Sequence, residues 1–230
     1  VTADLTQRLQ RLHRNDVTPV EILTSTASAA DQLHAVGAIA TRSIGGLTLA
    51  SLTPAQIRTL ATAAGVLQVR TPVDLRKGLL DMPPHLAKGP VGSENRPAEN
   101  RSGGAGIKVG IIDLFDPTVL ASQITAGEIG PVPNSQRACW WLGQPCTFGT
   151  PGFTHGNAVA EVVSEGADLS TLYLAEVGTL TDYMLAIDWF AANGVTILNH
   201  SAVGPYDGPG DGTGPAAAVV DYAVSKGIAW

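Results

Sequence analysis

The second half of this 230-residue chain alternates short apolar runs with helical patterns, and this alternation restricts the fold more than any other feature. Residues 107–112 form a nearly continuous apolar run, as expected of a parallel strand covered on both faces. Strands are also predicted at 171–175 and 195–201, and helices at 182–193 and 214–226. Strands that alternate with helices require a parallel sheet with right-handed crossovers. The predicted class is α/β, with a parallel doubly wound sheet.

The last three residues, 228–230, begin another apolar strand and stop. A sheet interrupted at that point would leave the neighbouring strand with unpaired backbone groups. We therefore expect an incomplete sheet and interpret the chain as a fragment of something longer.

The first 75 residues have a different pattern, in which the predicted order is strand, helix, strand, strand, helix, strand. The clearest signal is Thr53 as N-cap, Pro54 at the first helical position and Gln56 at the third. This order is that of a split βαβ unit, so residues 1–75 are predicted to form a small ferredoxin-like α+β domain. Residues 76–104 are rich in Pro and Gly and are predicted to be an exposed linker. Residues 105–230 then form the second, truncated domain.

Charge and hydropathy exclude two classes of function. With 14 basic and 20 acidic residues the net charge is −6, which provides no basic face for nucleic acid. No apolar stretch approaches the roughly 20 residues that cross a bilayer, so no membrane span is predicted. No metal-ligand spacing is present and no cofactor is predicted. The carboxylates of Asp207 and Asp211 leave structural calcium as an alternative, but a turn before the next helix is the favoured interpretation.

Two cysteines, Cys139 and Cys146, lie close together in a Gly- and Pro-rich stretch. We predict a disulfide between them, which implies an oxidising, secreted or extracytoplasmic compartment. Two unpaired thiols are the alternative. The neighbouring Trp140 and Trp141 are interpreted as aromatic packing beneath a long loop, and the rim of a cleft for an apolar group is the alternative.

Asp113 closes the first apolar strand of the second half, and His155 opens a predicted helix. Functional side chains gather beyond the carboxyl ends of parallel strands. A carboxylate placed there is desolvated unless it finds a partner, and it would fix the tautomer of an imidazole. The alternative is that Asp113 only caps a loop and that His155 is an ordinary residue of a first helical turn.

Three segments resemble, in chain order, the Asp segment, the His segment and the substrate-binding strand of subtilisin-like serine proteases. They are Gly106-Ile-Lys-Val-Gly-Ile-Ile-Asp113, His155-Gly-Asn-Ala-Val-Ala160 and Ile197-Leu-Asn-His-Ser201. The resemblance covers residues 106–230 and implies a subtilisin-like sheet. The preceding ferredoxin-like domain resembles the propeptide of that family.

The resemblance implies an Asp-His-Ser triad. Asp113 would orient His155, and His155 would act as general base toward a serine and then as general acid. Ser201 and Gly204 match the strand edge along which the family binds its polypeptide substrate. The catalytic serine would lie beyond Trp230. Three positions depart from the family pattern, at Leu114-Phe115, Asn157 and Val203.

The leading hypothesis is therefore the propeptide and amino-terminal half of a secreted, cofactor-independent serine endopeptidase. Its expected partners are polypeptide substrates and its own propeptide domain. The alternative is a noncatalytic, protease-like binding or inhibitory module in which the first domain covers the cleft. A plain α/β scaffold would be favoured if Asp113 and His155 were too far apart for a hydrogen bond.

Overall fold

The structure, a computed structural model, describes residues 1–25, 29–76, 103–202 and 211–230. They form a mixed α/β architecture with two sheets. One sheet has four antiparallel strands, and the other has five strands that are parallel except at one edge. Within these ranges no helix has the length and apolar character needed to cross a membrane.

The amino-terminal region has the order helix, strand, helix, strand, strand, helix, strand. Its elements are α1 (Ala3–Leu9), β1 (Thr18–Thr24), α2 (Ala30–Ala35), β2 (Arg42–Ile44), β3 (Leu47–Leu52), α3 (Pro54–Leu60) and β4 (Val66–Arg70). The sheet order is β2-β3-β1-β4. From β1 onward, the predicted element order is confirmed.

Local sequence signals explain two features of this region. Thr53 caps α3 by accepting a hydrogen bond from the Gln56 amide, and the Gln56 side chain accepts one from the Thr53 amide at 2.9 Å. Gly45 and Gly46 take φ angles of 52° and 83°, which suits the tight turn between β2 and β3. β2 begins only at Arg42, because the Ala38 amide donates to the Leu33 carbonyl near the end of α2.

The carboxyl-terminal region builds the second sheet, with strand order β7-β6-β8-β5-β9. Its strands are β5 (Lys108–Ile112), β6 (Arg137–Trp141), β7 (Gln144–Pro145), β8 (Thr171–Val177) and β9 (Ile197–Asn199). Its helices are α4 (Pro117–Ala126), α5 (His155–Gly166), α6 (Leu180–Ala192) and α7 (Pro215–Ser225). Ala229 makes a parallel bridge to Ile197 beyond β9.

The wholly parallel sheet of the sequence prediction needs correction. β7 runs antiparallel to β6, so the sheet is mixed. β6 is not among the predicted strands, because its five residues, Arg137–Trp141, carry no clear alternation. α4 was also missed, although its start carries a clear signal. Asp116 caps the helix by accepting hydrogen bonds from the amides of Thr118 and Val119, and Pro117 is at the first helical position.

Helices cover both faces of the second sheet, and each face has its own apolar core. One core joins the β5 and β8 side chains to α4 and α5, with Ile111, Leu174, Leu120 and Ala160 among its buried members. The other core lies under α6 and α7. This arrangement leaves the carboxyl edge of the parallel strands as the place where loops meet.

The first sheet packs against α6 and α7 of the second region. Ile44 is buried in the apolar core beneath those helices, and β2 contacts both of them. At Gly45 an added Cβ would lie 2.7 Å from the Ala218 Cβ, so the turn approaches α7 closely. Arg42 and Asp188 form a partly exposed ion pair at 3.7 Å across the same contact.

The capping box of α3 provides a test of the amino-terminal region. Thr53→Ala removes the acceptor for the Gln56 amide and should lower the free energy of unfolding by about 1 kcal/mol. Thr59→Ala, on the exposed side of the same helix, is the matched control and should change it by less than about 0.5 kcal/mol. Urea unfolding measures both. Equal losses in the two variants would contradict the role given to the cap.

Candidate active site

Asp113 and His155 meet at the carboxyl edge of the parallel sheet. Asp113 directly follows β5, and its amide donates to the Ala175 carbonyl of β8 at 3.1 Å. His155 is the first residue of α5, and its Nδ1 lies 2.8 Å from Asp113 Oδ2. The carboxylate side chain is 0% exposed and the imidazole 19%. A buried carboxylate thus has a hydrogen-bonded partner that still reaches solvent.

Gly156 explains how the first turn of α5 approaches the end of β5 so closely. Its amide donates to the Leu114 carbonyl at 3.0 Å. An added Cβ would lie 2.5 Å from that carbonyl oxygen and 2.8 Å from the Phe115 ring. Any larger residue would therefore push His155 away from Asp113.

Asn157 holds the loop after β5 from the other side. Its buried side chain accepts a hydrogen bond from the Asp116 amide at 2.8 Å and donates one to the Asp116 carbonyl at 3.2 Å. A side-chain amide is well suited to this task because it offers both an acceptor and donors. The departure from the family pattern at this position thus has a local structural function.

Glu176, near the end of β8, is a residue that the sequence analysis missed. Its buried carboxylate accepts hydrogen bonds from the Phe115 amide at 2.9 Å, the Gly149 amide at 3.1 Å and the Thr150 hydroxyl at 3.3 Å. It therefore joins the loop that follows Asp113 to the loop that leads into His155. The same signal that singled out Asp113, an acidic residue near the end of an apolar strand, would have found it.

A second imidazole lies at the neighbouring strand end. His200 follows β9, and its Nε2 lies 2.7 Å from the Tyr183 hydroxyl of α6. The Trp230 ring packs on Tyr183 and on His200, with centroid distances of 5.9 and 5.8 Å. Burial lowers the pKa of His200 and raises the pKa of Tyr183, and the negative charge of Asp113 acts on both groups.

His155 has the opposite electrostatic setting. The hydrogen bond that His155 donates to Asp113 raises the pKa of His155, burial opposes this shift, and the charge of Asp113 adds to it. Because a carboxylate only accepts hydrogen bonds, Nδ1 carries the proton. In the neutral ring Nε2 then has a free electron pair. The arrangement provides an oriented general base.

The remaining predicted site residues are not part of this pair. Ser201 is exposed, and its hydroxyl donates to the Asn199 side chain at 3.0 Å. Gly204 lies outside the described residues, as do Val203 and Asp207. Asp211 accepts hydrogen bonds from the amide and the hydroxyl of Thr213. The described part of the chain holds no cluster of three or more His, Cys, Asp or Glu side chains suited to a metal ion.

Cys139 and Cys146 are joined by a disulfide across the β6–β7 hairpin. The turn of this hairpin is Leu142-Gly143, where both residues have positive φ angles, 52° and 78°. The buried carboxylate of Asp182 accepts hydrogen bonds from the amides of Leu142 at 3.2 Å and Gly143 at 2.7 Å. The tryptophans of β6 were expected beneath a long loop. Instead they lie in a strand whose turn is anchored to α6.

Comparison of the chain with protein-family models and with curated proteins gives no match. The chemistry assigned to this site therefore depends on the geometry of the side chains described above. The central element of that geometry is the contact between the Asp113 carboxylate and the His155 imidazole.

The pKa values of the two imidazoles should be shifted in opposite directions from the ordinary value. His155 should have a pKa above 6.5 and His200 a pKa below it. His155 then contributes stability that is complete below pH 6.5 and is lost as the pH rises through its folded pKa. His200 lowers stability as the pH falls below 6.5, because the unfolded chain takes up that proton first. Proton NMR titration of the ring signals, assigned with His155→Gln and His200→Gln, measures both values. The reverse order would contradict this electrostatic description.

Glu176 can be tested as a structural link between the two loops. Glu176→Leu leaves the buried Phe115 amide and the part-buried Gly149 amide without acceptors and should lower the free energy of unfolding by about 2–4 kcal/mol. Glu128→Leu, at an exposed position in the loop after α4, is the matched control and should change it by less than about 0.5 kcal/mol. Denaturant unfolding measures the two effects, and similar values would show that Glu176 does not hold these loops.

Proposed function

We propose that this chain carries the Asp and His of a subtilisin-like serine endopeptidase, whose serine would be supplied by a segment beyond Trp230. The single observation that carries the proposal is the 2.8 Å contact between His155 Nδ1 and the buried Asp113 carboxylate. This contact lies where parallel α/β sheets place their functional groups.

The chemistry follows from the roles of the two side chains. Asp113 fixes the ring of His155 with its proton on Nδ1 and stabilises the imidazolium that forms during reaction. His155 Nε2 takes the proton of the attacking serine hydroxyl and later delivers it to the leaving amine. Asp113 stays ionised throughout. The products are an acyl-enzyme and then a hydrolysed peptide bond.

The order of elements supports this assignment. A strand directly followed by Asp113, a helix beginning at His155 and a strand ending at Asn199 follow one another in the chain. β5 and β9 are neighbours in the sheet, as required for a substrate-binding strand next to the strand that carries the acid. The disulfide agrees with a secreted protein.

The segment after β4 supports an inhibitory role for the first domain. Its residues 74–76, here called the strap, cross to the second sheet, and the Leu75 amide donates to the Gly178 carbonyl at 2.9 Å. The Leu75 side chain packs against the apolar core beneath α6 and α7. The segment that leaves the first domain thus contacts the carboxyl end of β8, the strand that carries Glu176. The first domain would then be a ferredoxin-like propeptide.

The second candidate is a noncatalytic, protease-like binding or inhibitory module. The strap favours it, because a segment of the chain itself contacts the carboxyl end of β8, at the same edge of the sheet as Asp113 and His155. In addition, among the residues that the structure describes, His155 makes no hydrogen bond to a serine. The two candidates differ in whether a serine is placed at His155 Nε2.

Peptide hydrolysis by a chain extended to include the serine segment separates the candidates. His155→Ala should reduce kcat/KM by several orders of magnitude, and Asp113→Asn should reduce it strongly. His34→Ala, at an exposed position in the first domain, is the control and should leave the rate unchanged. A loss below about tenfold for His155→Ala would remove this residue from the mechanism. The absence of hydrolysis and of labelling by a serine-directed phosphonate would favour the binding module.

A further inference from the structure

Asp116, in the loop after β5, contacts the chain on both sides of His155. Its Oδ2 accepts a hydrogen bond from the Gly152 amide at 2.6 Å, in the loop that leads into α5. Its backbone amide and carbonyl are bound by the Asn157 side chain, in the first turn of α5, at 2.8 and 3.2 Å. Asp116 therefore restrains the chain both before and after the imidazole that contacts Asp113.

The two carboxylate oxygens of Asp116 have separate partners. Oδ1 accepts hydrogen bonds from the amides of Thr118 and Val119 at 2.8 and 3.1 Å and so caps α4, while Oδ2 accepts the bond from Gly152. The bond from the Gly152 amide is the main cause that lowers the pKa of Asp116, and the bond from Val119 acts in the same direction. Hydrogen bonds to a charged group are roughly twice as strong as those between neutral groups. One carboxylate thus joins the start of α4 to the loop before α5.

The α4 helix gives Asp116 a fixed position relative to α5. The side chain of Gln123, in α4, donates to the Glu161 carboxylate at 2.9 Å and to the Asn157 carbonyl at 3.3 Å, both in α5. The two helices also share the apolar core on that face of the sheet. The residue that caps α4 is therefore attached to a helix that is itself held along α5.

We propose that Asp116 is a positioning residue for His155 and acts through the Gly152 amide. By holding the loop before α5 against the start of α4, its Oδ2 keeps the first turn of α5 where His155 Nδ1 meets the Asp113 carboxylate. This inference rests on the proposed function, because it concerns the same pair of side chains. A displacement of about 1 Å at a reacting group can cost about 10²-fold in rate, so a residue away from the reacting atoms can control the reaction.

The substitution Asp116→Asn separates the two oxygens. Asparagine keeps one acceptor oxygen for the two amides at the start of α4, and it is as good an N-cap as aspartate. Its other terminal atom is an NH2 group, which cannot accept a hydrogen bond from the Gly152 amide. Asp116→Ser is a second variant of the same kind, since a serine hydroxyl caps a helix but offers a single oxygen. Both variants of the 230-residue chain should therefore be folded, as measured by circular dichroism.

NMR of the His155 ring in the 230-residue chain is the first measurement. In both variants the pKa of His155 should fall, and the neutral ring should lose part of its preference for a proton on Nδ1, because the hydrogen bond to Asp113 is weakened. Asp168→Asn, exposed beyond the other end of α5, is the matched control and should change neither property. The effects should persist in about 1 M NaCl, because at a Debye length of about 3 Å the loss of a charge alone has little influence.

Peptide hydrolysis by the chain extended to include the serine segment is the second measurement. Asp116→Asn should lower kcat about tenfold and change KM by less than about twofold, because it alters the position of the general base and not the binding of the peptide.

A His155 ring that keeps its pKa and its tautomer in the folded variants would overturn the proposal, as would effects that vanish in about 1 M NaCl. Failure of both variants to fold would show that the two oxygens do not act separately and would overturn it as well. An unchanged kcat in an extended chain that hydrolyses peptides would remove the positioning role and leave the proposed function standing. If the ring responds as expected while the unsubstituted extended chain hydrolyses nothing, the enzymatic part of the proposed function fails and the positioning of His155 by Asp116 stands.

Discussion

The buried carboxylate of Asp113 is the constraint on which the site depends. A carboxylate removed from water at a strand end needs hydrogen-bond donors, and it receives them from His155 Nδ1 at 2.8 Å and from the Leu114 amide at 2.7 Å. Gly156 allows the helix to approach, while Asn157 and Glu176 hold the loops on either side. The imidazole is thereby held through Nδ1, and the electron pair of Nε2 in the neutral ring stays free to accept a proton. The groups around Asp113 and His155 keep the first turn of α5 next to the carboxyl end of β5.

Two contacts join the first sheet to the second region, and one of them lies at the edge of the second sheet that carries this site. The first sheet packs on α6 and α7 through Ile44, and the strap then crosses to Gly178, beside the strand that bears Glu176. The strap and the site are therefore connected through Glu176, which supports the loops beside Asp113 and His155 and whose charge acts on Arg76.

The sequence was most informative where strong local signals act. The capping box at Thr53, the apolar run that ends at Asp113 and the helix that begins at His155 all lie where they were predicted. β6 and β7 were not predictable from local pattern. β6 has five residues of mixed burial, and its place depends on pairing with β8. The turn between β6 and β7 is held by hydrogen bonds from its amides to Asp182. Glu176 carries the same signal as Asp113, but the role of Asn157 was missed because its partner Asp116 is more than 25 positions away in the chain. Tertiary contacts of this kind leave no periodic pattern in the sequence.

The role of His155 depends most on the proton that joins it to Asp113. Nitrogen-15 NMR of the imidazole, at a pH where the ring is neutral, identifies which nitrogen is protonated. We expect a proton on Nδ1 and an unprotonated Nε2, with this preference lost in Asp113→Ala. A neutral ring protonated on Nε2, or a tautomer that does not respond to Asp113→Ala, would show that Asp113 does not orient this imidazole.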